Sequence, residues 1–207
     1  KISKPFTEIS RYLFIANSED FFKWIKFNQF TIYALQSTIE AEMKVYLATD
    51  HAGFELKNKI AEFLKNEGYE VEDCGAFEYD KNDDYPDWIS KAAQKVSENP
   101  ESFGIVLGGS GQGEAIVANK FKNVRCALFY GPMIPPVATD ITGKTSDDPF
   151  EMLRLTREHN NANMLSLGVR FLTQQDAIDA VKLFLGSKYS GEERHARRIE
   201  KIKALEK

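Results

Sequence analysis

The chain has 207 residues, 43% hydrophobic and 28% charged, which is enough apolar material for one large buried core and too much for a mostly disordered protein. Lys and Arg number 27 against 31 Asp and Glu, a formal charge of -4, so no chain-wide basic field exists to hold nucleic acid or an anionic membrane. Charges also break every apolar run short of the roughly 18 residues of a membrane helix, and two cysteines, Cys74 and Cys126, are too few for a disulfide scaffold or a cysteine-rich zinc site. Both sit in apolar or strand-like runs, which fits reduced thiols in the cytoplasm.

Residues 1–42 hold nine of the 25 aromatics but no glycine, and lack the strand, turn and helix punctuation that follows. Ser18, Glu19 and Asp20 ahead of Phe21, Trp24 and Ile25 fit a short capped helix. The segment reads as an extension of uncertain role, with acidic residues where a signal peptide would need an unbroken apolar stretch. The functional domain is read as 43–207.

From Met43 the rhythm is regular. Lys44 to Thr49 is a β-rich run, followed by Asp50, His51, Ala52 and Gly53 and then a helical pattern from Phe54 to Glu67, with Leu56, Ile60, Phe63 and Leu64 at helical spacing and Gly68 at its end. Tyr69 to Cys74 alternates as a second strand, and Pro86 heads a helix to about Ser97. Phe103 to Leu107 is an apolar strand, and Gly108 to Gly113 is a glycine-rich turn opening a helix around Glu114 to Lys120. Val124 to Tyr130 and Met164 to Gly168 complete the strands, with helical runs after each. The segment from Gly131 to Asp148 holds three of the seven prolines and reads as a long surface loop.

Apolar strands alternating with helices predict a three-layer α/β/α, Rossmann-like, doubly wound parallel sheet of about five strands. Ligands of such sheets bind beyond the carboxyl ends of the strands. The polar, glycine-bearing segments after the first and third strands fall there.

Gly108, Gly109, Ser110, Gly111, Gln112, Gly113 and Glu114 form the most informative stretch, because closely spaced glycines let backbone N–H groups converge on a phosphate or a developing oxyanion. No Lys-Ser/Thr follows as in a Walker loop, and the spacing fails the dinucleotide fingerprint. Glu114 has two readings: a general base beside that turn, or an acid placed favourably in the first turn of a helix. Arg194 and Arg198, four apart, share a helical face that suits either a phosphate grip or pairing with Glu193 and Glu200. Arg170 follows the last strand as a third cation. His51 and His159 read as histidines on ligand-side loops, suited to acid-base work, although a helix-end histidine such as His159 also suits capping. No His and carboxylate cluster with metal-ligand spacing is visible along the chain.

Five ordered motifs then carry a resemblance: Asp50-His51-Ala52-Gly53, Asp84-Tyr85-Pro86-Asp87, Gly108 to Glu114 leading into Ala118-Asn119-Lys120, Arg157 to Asn163, and Arg194 to Arg198. From Met43 to about its C-terminus the chain resembles the type B ribose-5-phosphate isomerase family, whose wider group includes galactose-6-phosphate isomerase subunits. Gly108 and Glu114 look like the form of that family with a glutamate base rather than a cysteine. The resemblance implies aldose-ketose isomerisation through a cis-enediolate, with Glu114 moving the proton, the amides around Gly109, Gly111 and Gly113 stabilising the oxyanion and Ser110 assisting. It implies that His159 with Asp50 opens the furanose ring, that His51, Arg170, Arg194 and Arg198 hold the phosphate, and that Tyr85 and Asn160 line the sugar. It further implies a phosphorylated sugar substrate, no cofactor or metal, and a homodimer or dimer of dimers with shared sites. The residues also leave room for allose 6-phosphate or galactose 6-phosphate as substrate, or for a non-catalytic phosphosugar-binding module.

Overall fold

A computed structural model of the protein describes residues 43–206; the expected helix around Phe21 lies outside the described residues. Five strands form one sheet in the order β2-β1-β3-β5-β4: β1 (Lys44–Thr49), β2 (Glu70–Asp73), β3 (Phe103–Gly108), β4 (Cys126–Phe129) and β5 (Met164–Gly168). Every pairing is parallel, with Leu47 opposite Ile105 and Ile105 opposite Leu165. Successive strands leave β1 first to one side and then to the other, so the winding reverses between β1 and β3, where an open sheet leaves a crevice at its carboxyl edge.

Among the described residues there are six α-helices: α1 (Phe54–Asn66), α2 (Tyr85–Glu98), α3 (Gln112–Ala118), α4 (Glu151–Asn160), α5 (Gln174–Gly186) and α6 (Glu193–Lys203), the last packed on α4. Strand residues alternate between faces, and the two faces carry separate cores. Val45, Leu47, Ile105 and Leu165 pack with Ile60 and Leu64 of α1 and Ala177, Val181 and Phe184 of α5. Tyr46, Ala48 and Val106 pack on the other side with Ile89, Ala92 and Val96 of α2 and Ala118 at the end of α3. This is the three-layer α/β/α sheet that the alternation predicts, with β2 and β4 shorter than the strand-like runs that contain them. Both short strands lie at sheet edges, where one missing neighbour removes half of the ladder.

α5 begins with a reciprocal cap, Thr173 accepting from the Asp176 N–H while Asp176 accepts from the Thr173 N–H. α4 ends on Asn161 in the left-handed region, φ +44°, and its last turn is anchored by the buried Arg157, whose guanidinium lies over the Phe103 ring and donates to Ala162 O and Asn161 Oδ1. Burial and the nearby Arg125 push Arg157 down to about 10, as expected for a structural cation without a carboxylate partner among the described residues. No helix among the described residues is long and apolar enough to cross a membrane. Both cysteines are free, and burial pushes the Cys74 thiol up to about 11 and that of Cys126 up further, so neither is a ready nucleophile.

Candidate active site

At the carboxyl edge, β3 runs out at Gly108 and the chain turns through Gly109, Ser110 and Gly111 into α3. Gly111 has φ +71°, and a Cβ there would stand 2.7 Å from Leu128 Cδ1 and 3.0 Å from the Leu167–Gly168 backbone, so position 111 requires glycine twice over. The turn is fastened to the end of β5: Val169 N–H donates to Gly108 O at 3.0 Å, Arg170 N–H to Gly109 O at 3.2 Å and the Ser166 hydroxyl to Gly111 O at 2.7 Å. The Ser110 hydroxyl accepts weakly from the Gln112 N–H at 3.4 Å.

Glu114 follows in the first turn of α3 and is only 4% exposed. Its carboxyl group folds back onto Gly108, where a Cβ would lie 1.8 Å from Oε1; the glycine is the space the carboxyl group occupies. Burial pushes the Glu114 pKa up, its own backbone N–H opposes that shift, and the negative charge of Asp50 adds to it. Asp50 therefore faces the same space from the end of β1. The other walls are set by close approach: the Tyr85 hydroxyl lies 2.5 Å from where a Gly113 Cβ would be, and the Arg170 guanidinium carbon lies 3.0 Å from a Cβ built on Gly109. Glu114, Asp50, Tyr85, Arg170, Ser110 and the glycine turn are thus brought together at one edge of the sheet.

His51 stands beside them. Asp50 Oδ1 accepts from the Ala52 N–H at 2.9 Å, which starts the short turn His51–Gly53, and Asp50 Oδ2 lies 3.8 Å from His51 Nδ1. Asp83, from the loop before α2, accepts at one oxygen from both the His51 N–H (3.0 Å) and Nδ1 (2.8 Å), and at the other from the Trp88 indole N–H (3.0 Å). Burial works against ionisation of Asp83, but these donors outweigh it and hold its carboxyl below the ordinary range. Asp50, His51 and Asp83 present three ligand-type atoms within 4.8 Å of one another, a grouping that the linear spacing hides because Asp83 is 32 residues from His51. With both oxygens already taken by N–H donors, Asp83 is arranged to hold a histidine rather than to ligate a metal.

The remaining expected residues are at the other edge of the sheet. His159 and Asn160 end α4, and the chain then enters the amino end of β5. Asn160 O accepts from Arg125 Nε at 3.0 Å just ahead of β4, and Asn163 O accepts from Gly104 N–H near the start of β3. The His159 ring stacks on the buried His195 of α6, centroids 4.1 Å apart and planes within 10°, and the same helix carries Arg194 and Arg198. Burial lowers the His195 pKa, and the neighbouring His159 adds to that. The expectation that His159 lies on the ligand side of its own chain is therefore corrected: a helix antiparallel to the strands delivers its last residue to their amino ends, and β3, of six residues, separates the two edges by about 17–20 Å. His159, Asn160, Arg194 and Arg198 form a second group, apart from Glu114 within one chain. His195, unremarked as a contact from sequence, belongs to it.

A family model described as Ribose/Galactose Isomerase matches residues 45–138 and 146–202. The chain belongs to that family. Among curated members of the ribose/galactose isomerase family it is 42% identical over 165 residues to the ribose-5-phosphate isomerase B of Mycobacterium leprae, covering 80% of this chain and 91% of that one. It is 38% identical to the probable ribose-5-phosphate isomerase B of Mycoplasma genitalium over 79% of this chain. Its fold matches the crystal structure of the Mycoplasma genitalium ribose-5-phosphate isomerase B with bound ribulose 5-phosphate, with a TM-score of 0.69, 36% identity, and 80% and 98% of the two chains covered. The Thermotoga maritima enzyme gives 0.66 at 38% identity. The family match passes over residues 139–145, which lie in the long loop, where Thr139 N–H donates to Lys144 O at 2.7 Å and closes a turn around Asp140.

Proposed function

We propose that the protein is an aldose-ketose isomerase that interconverts ribose 5-phosphate and ribulose 5-phosphate, a reaction of pentose phosphate metabolism, through a cis-enediolate. The observation that carries this reading is the Glu114 carboxyl group, buried against Gly108 at the mouth of the glycine turn, with its pKa raised by burial. A carboxylate whose proton affinity lies nearer the working pH both removes and returns a proton well. Glu114 takes the proton from C2 and delivers it to C1, while charge developing on the substrate oxygen meets backbone N–H groups around Gly109, Gly111 and Gly113, with the Ser110 hydroxyl beside them. Belonging to a family whose relatives are ribose-5-phosphate isomerases B supports the choice of sugar.

The two groups of residues support a site shared between copies of the chain, in a homodimer or dimer of dimers. One protomer supplies Glu114, Ser110, Asp50, His51, Tyr85 and Arg170; its partner supplies the ring-opening His159 with Asn160 and the phosphate-holding Arg194 and Arg198. We assign the isomerase domain to 43–207, supported by a family match that starts at residue 45, and the cytoplasm as its compartment, supported by two free cysteines. No cofactor is required, since proton transfer conserves the redox level of the substrate.

The test is proton NMR of the protein with ribose 5-phosphate in deuterated water. Ribulose 5-phosphate with deuterium at the transferred position is expected; binding without exchange would leave only a phosphosugar-binding module. A second reading, isomerisation of allose 6-phosphate or galactose 6-phosphate, draws on the long loop, which leaves the carboxyl end of β4 at Tyr130 beside Gln112 of the glycine-rich segment. Relative turnover of the three sugar phosphates decides between them.

A further inference from the structure

Asp83 lies in the acidic run Asp80 to Asp84, which reads as a solvated turn, yet its side chain is nearly enclosed, 8% exposed against 29% for the His51 side chain it touches. Its two oxygens accept three N–H groups: the His51 backbone, the His51 ring and the Trp88 indole. Trp88 stands on the first turns of α2, so the carboxylate is tied to a rigid element rather than to the loop that carries it. Tyr79 meets the His51 ring edge-on at 6.5 Å, limiting its tilt.

An ionised carboxylate only accepts hydrogen bonds, so a ring nitrogen 2.8 Å from it carries a proton. The bond to Nδ1 therefore fixes the orientation of the ring and places a proton on Nδ1. Nε2, on the far edge of the ring, has no partner among the described residues. We propose that Asp83 is a positioning residue for the phosphate end of the site: it accepts from Nδ1–H and so fixes the His51 ring with Nε2–H as the donor presented to the substrate phosphate. The backbone bond from the His51 N–H to the same Asp83 oxygen sets the main chain at the end of β1 together with the ring, so one side chain determines where that contact stands.

This inference rests on the isomerase reading given above, and its test separates the two. Full-length protein, Asp83→Asn and Trp88→Phe are compared by nitrogen-detected histidine correlations, by inhibition with inorganic phosphate, and by turnover of ribose 5-phosphate. In Asp83→Asn the His51 nitrogens lose the pattern of a proton held on Nδ1, the inhibition constant for inorganic phosphate and the KM both rise about tenfold, and kcat stays within about twofold. Trp88→Phe, which keeps the carboxylate but releases one oxygen, shifts the same quantities in the same direction by less. An unchanged nitrogen pattern in Asp83→Asn overturns the proposal. So does a changed pattern with unaltered phosphate inhibition, or a fall in kcat at constant KM, which would place Asp83 in the proton transfer itself. Should Asp83→Asn fail to fold, Trp88→Phe decides by the same readouts. A wild-type protein that turns over no ribose 5-phosphate would remove the isomerase reading, while the nitrogen pattern and phosphate inhibition would still decide the role of Asp83.

Discussion

The two edges of the sheet are built differently. At the carboxyl edge the functional groups sit on strand ends, tight turns and the first turns of α2 and α3, and close approach to a glycine leaves three of them room: Glu114 on Gly108, Tyr85 on Gly113, Arg170 over Gly109. At the amino edge they sit on two helices, α4 and α6, joined by a stacked pair of histidines, and Arg198 is exposed. The first group is held by close approach of the backbone; the second rests on the packing of one helix on another. The proposed sharing of the site between copies rests on this contrast.

Substitutions at the two edges break this contrast in graded ways. Glu114→Gln has the largest effect, a fall in kcat of about a thousandfold with unchanged circular dichroism, as removal of a general base entails. Co-expression of Glu114→Gln with Arg198→Ala sharpens the comparison: hybrids in which one site keeps both sound contributions regain the kcat that Glu114→Gln lacks together with the low KM that Arg198→Ala lacks, measured as turnover of the separated hybrid. Failure to regain it would place both groups in one chain's site. Gly108→Ala comes next, because its Cβ would lie 1.8 Å from Glu114 Oε1 and force the base aside, at a cost of about a hundredfold in kcat. Arg194→Ala and Arg198→Ala each raise KM about tenfold with a smaller change in kcat, measured by initial rates.

The smallest effect is one of pH. Burial raises the Glu114 pKa, so the acid limb of kcat/KM lies above the ordinary glutamate range. The folded protein also binds that proton more tightly than the unfolded chain, so stability falls as pH rises from the ordinary glutamate range through the raised folded value. Glu114→Gln removes this loss. Its melting temperature therefore gains on the wild type across that window and holds the gain above it, measured by calorimetry at several pH values.

The sheet was legible because its central strands are continuous apolar runs, and Phe103 to Gly108 buried on both faces is what such a run means. The glycine turn was legible for the opposite reason: residues with little packing value cluster where a backbone must turn sharply. What sequence could not show was which edge a helix end reaches, since that depends on the direction of α4 relative to the strands, and His159 was misplaced on that account. Nor could it show Asp83 or His195, whose partners are 32 and 36 residues away and whose neighbours in sequence are ordinary polar residues.

The contact between Gly108 and Glu114 also constrains how this site can change over time. A side chain at 108 and a carboxyl group at 114 claim the same volume, so the two positions form a single character with two letters. A base cannot be introduced at the end of β3 while the glutamate stays, and a lineage exchanging one for the other must alter both or pass through a form with neither group in working position. Any library that varies these positions one at a time will score each change as damaging and miss the pair that works.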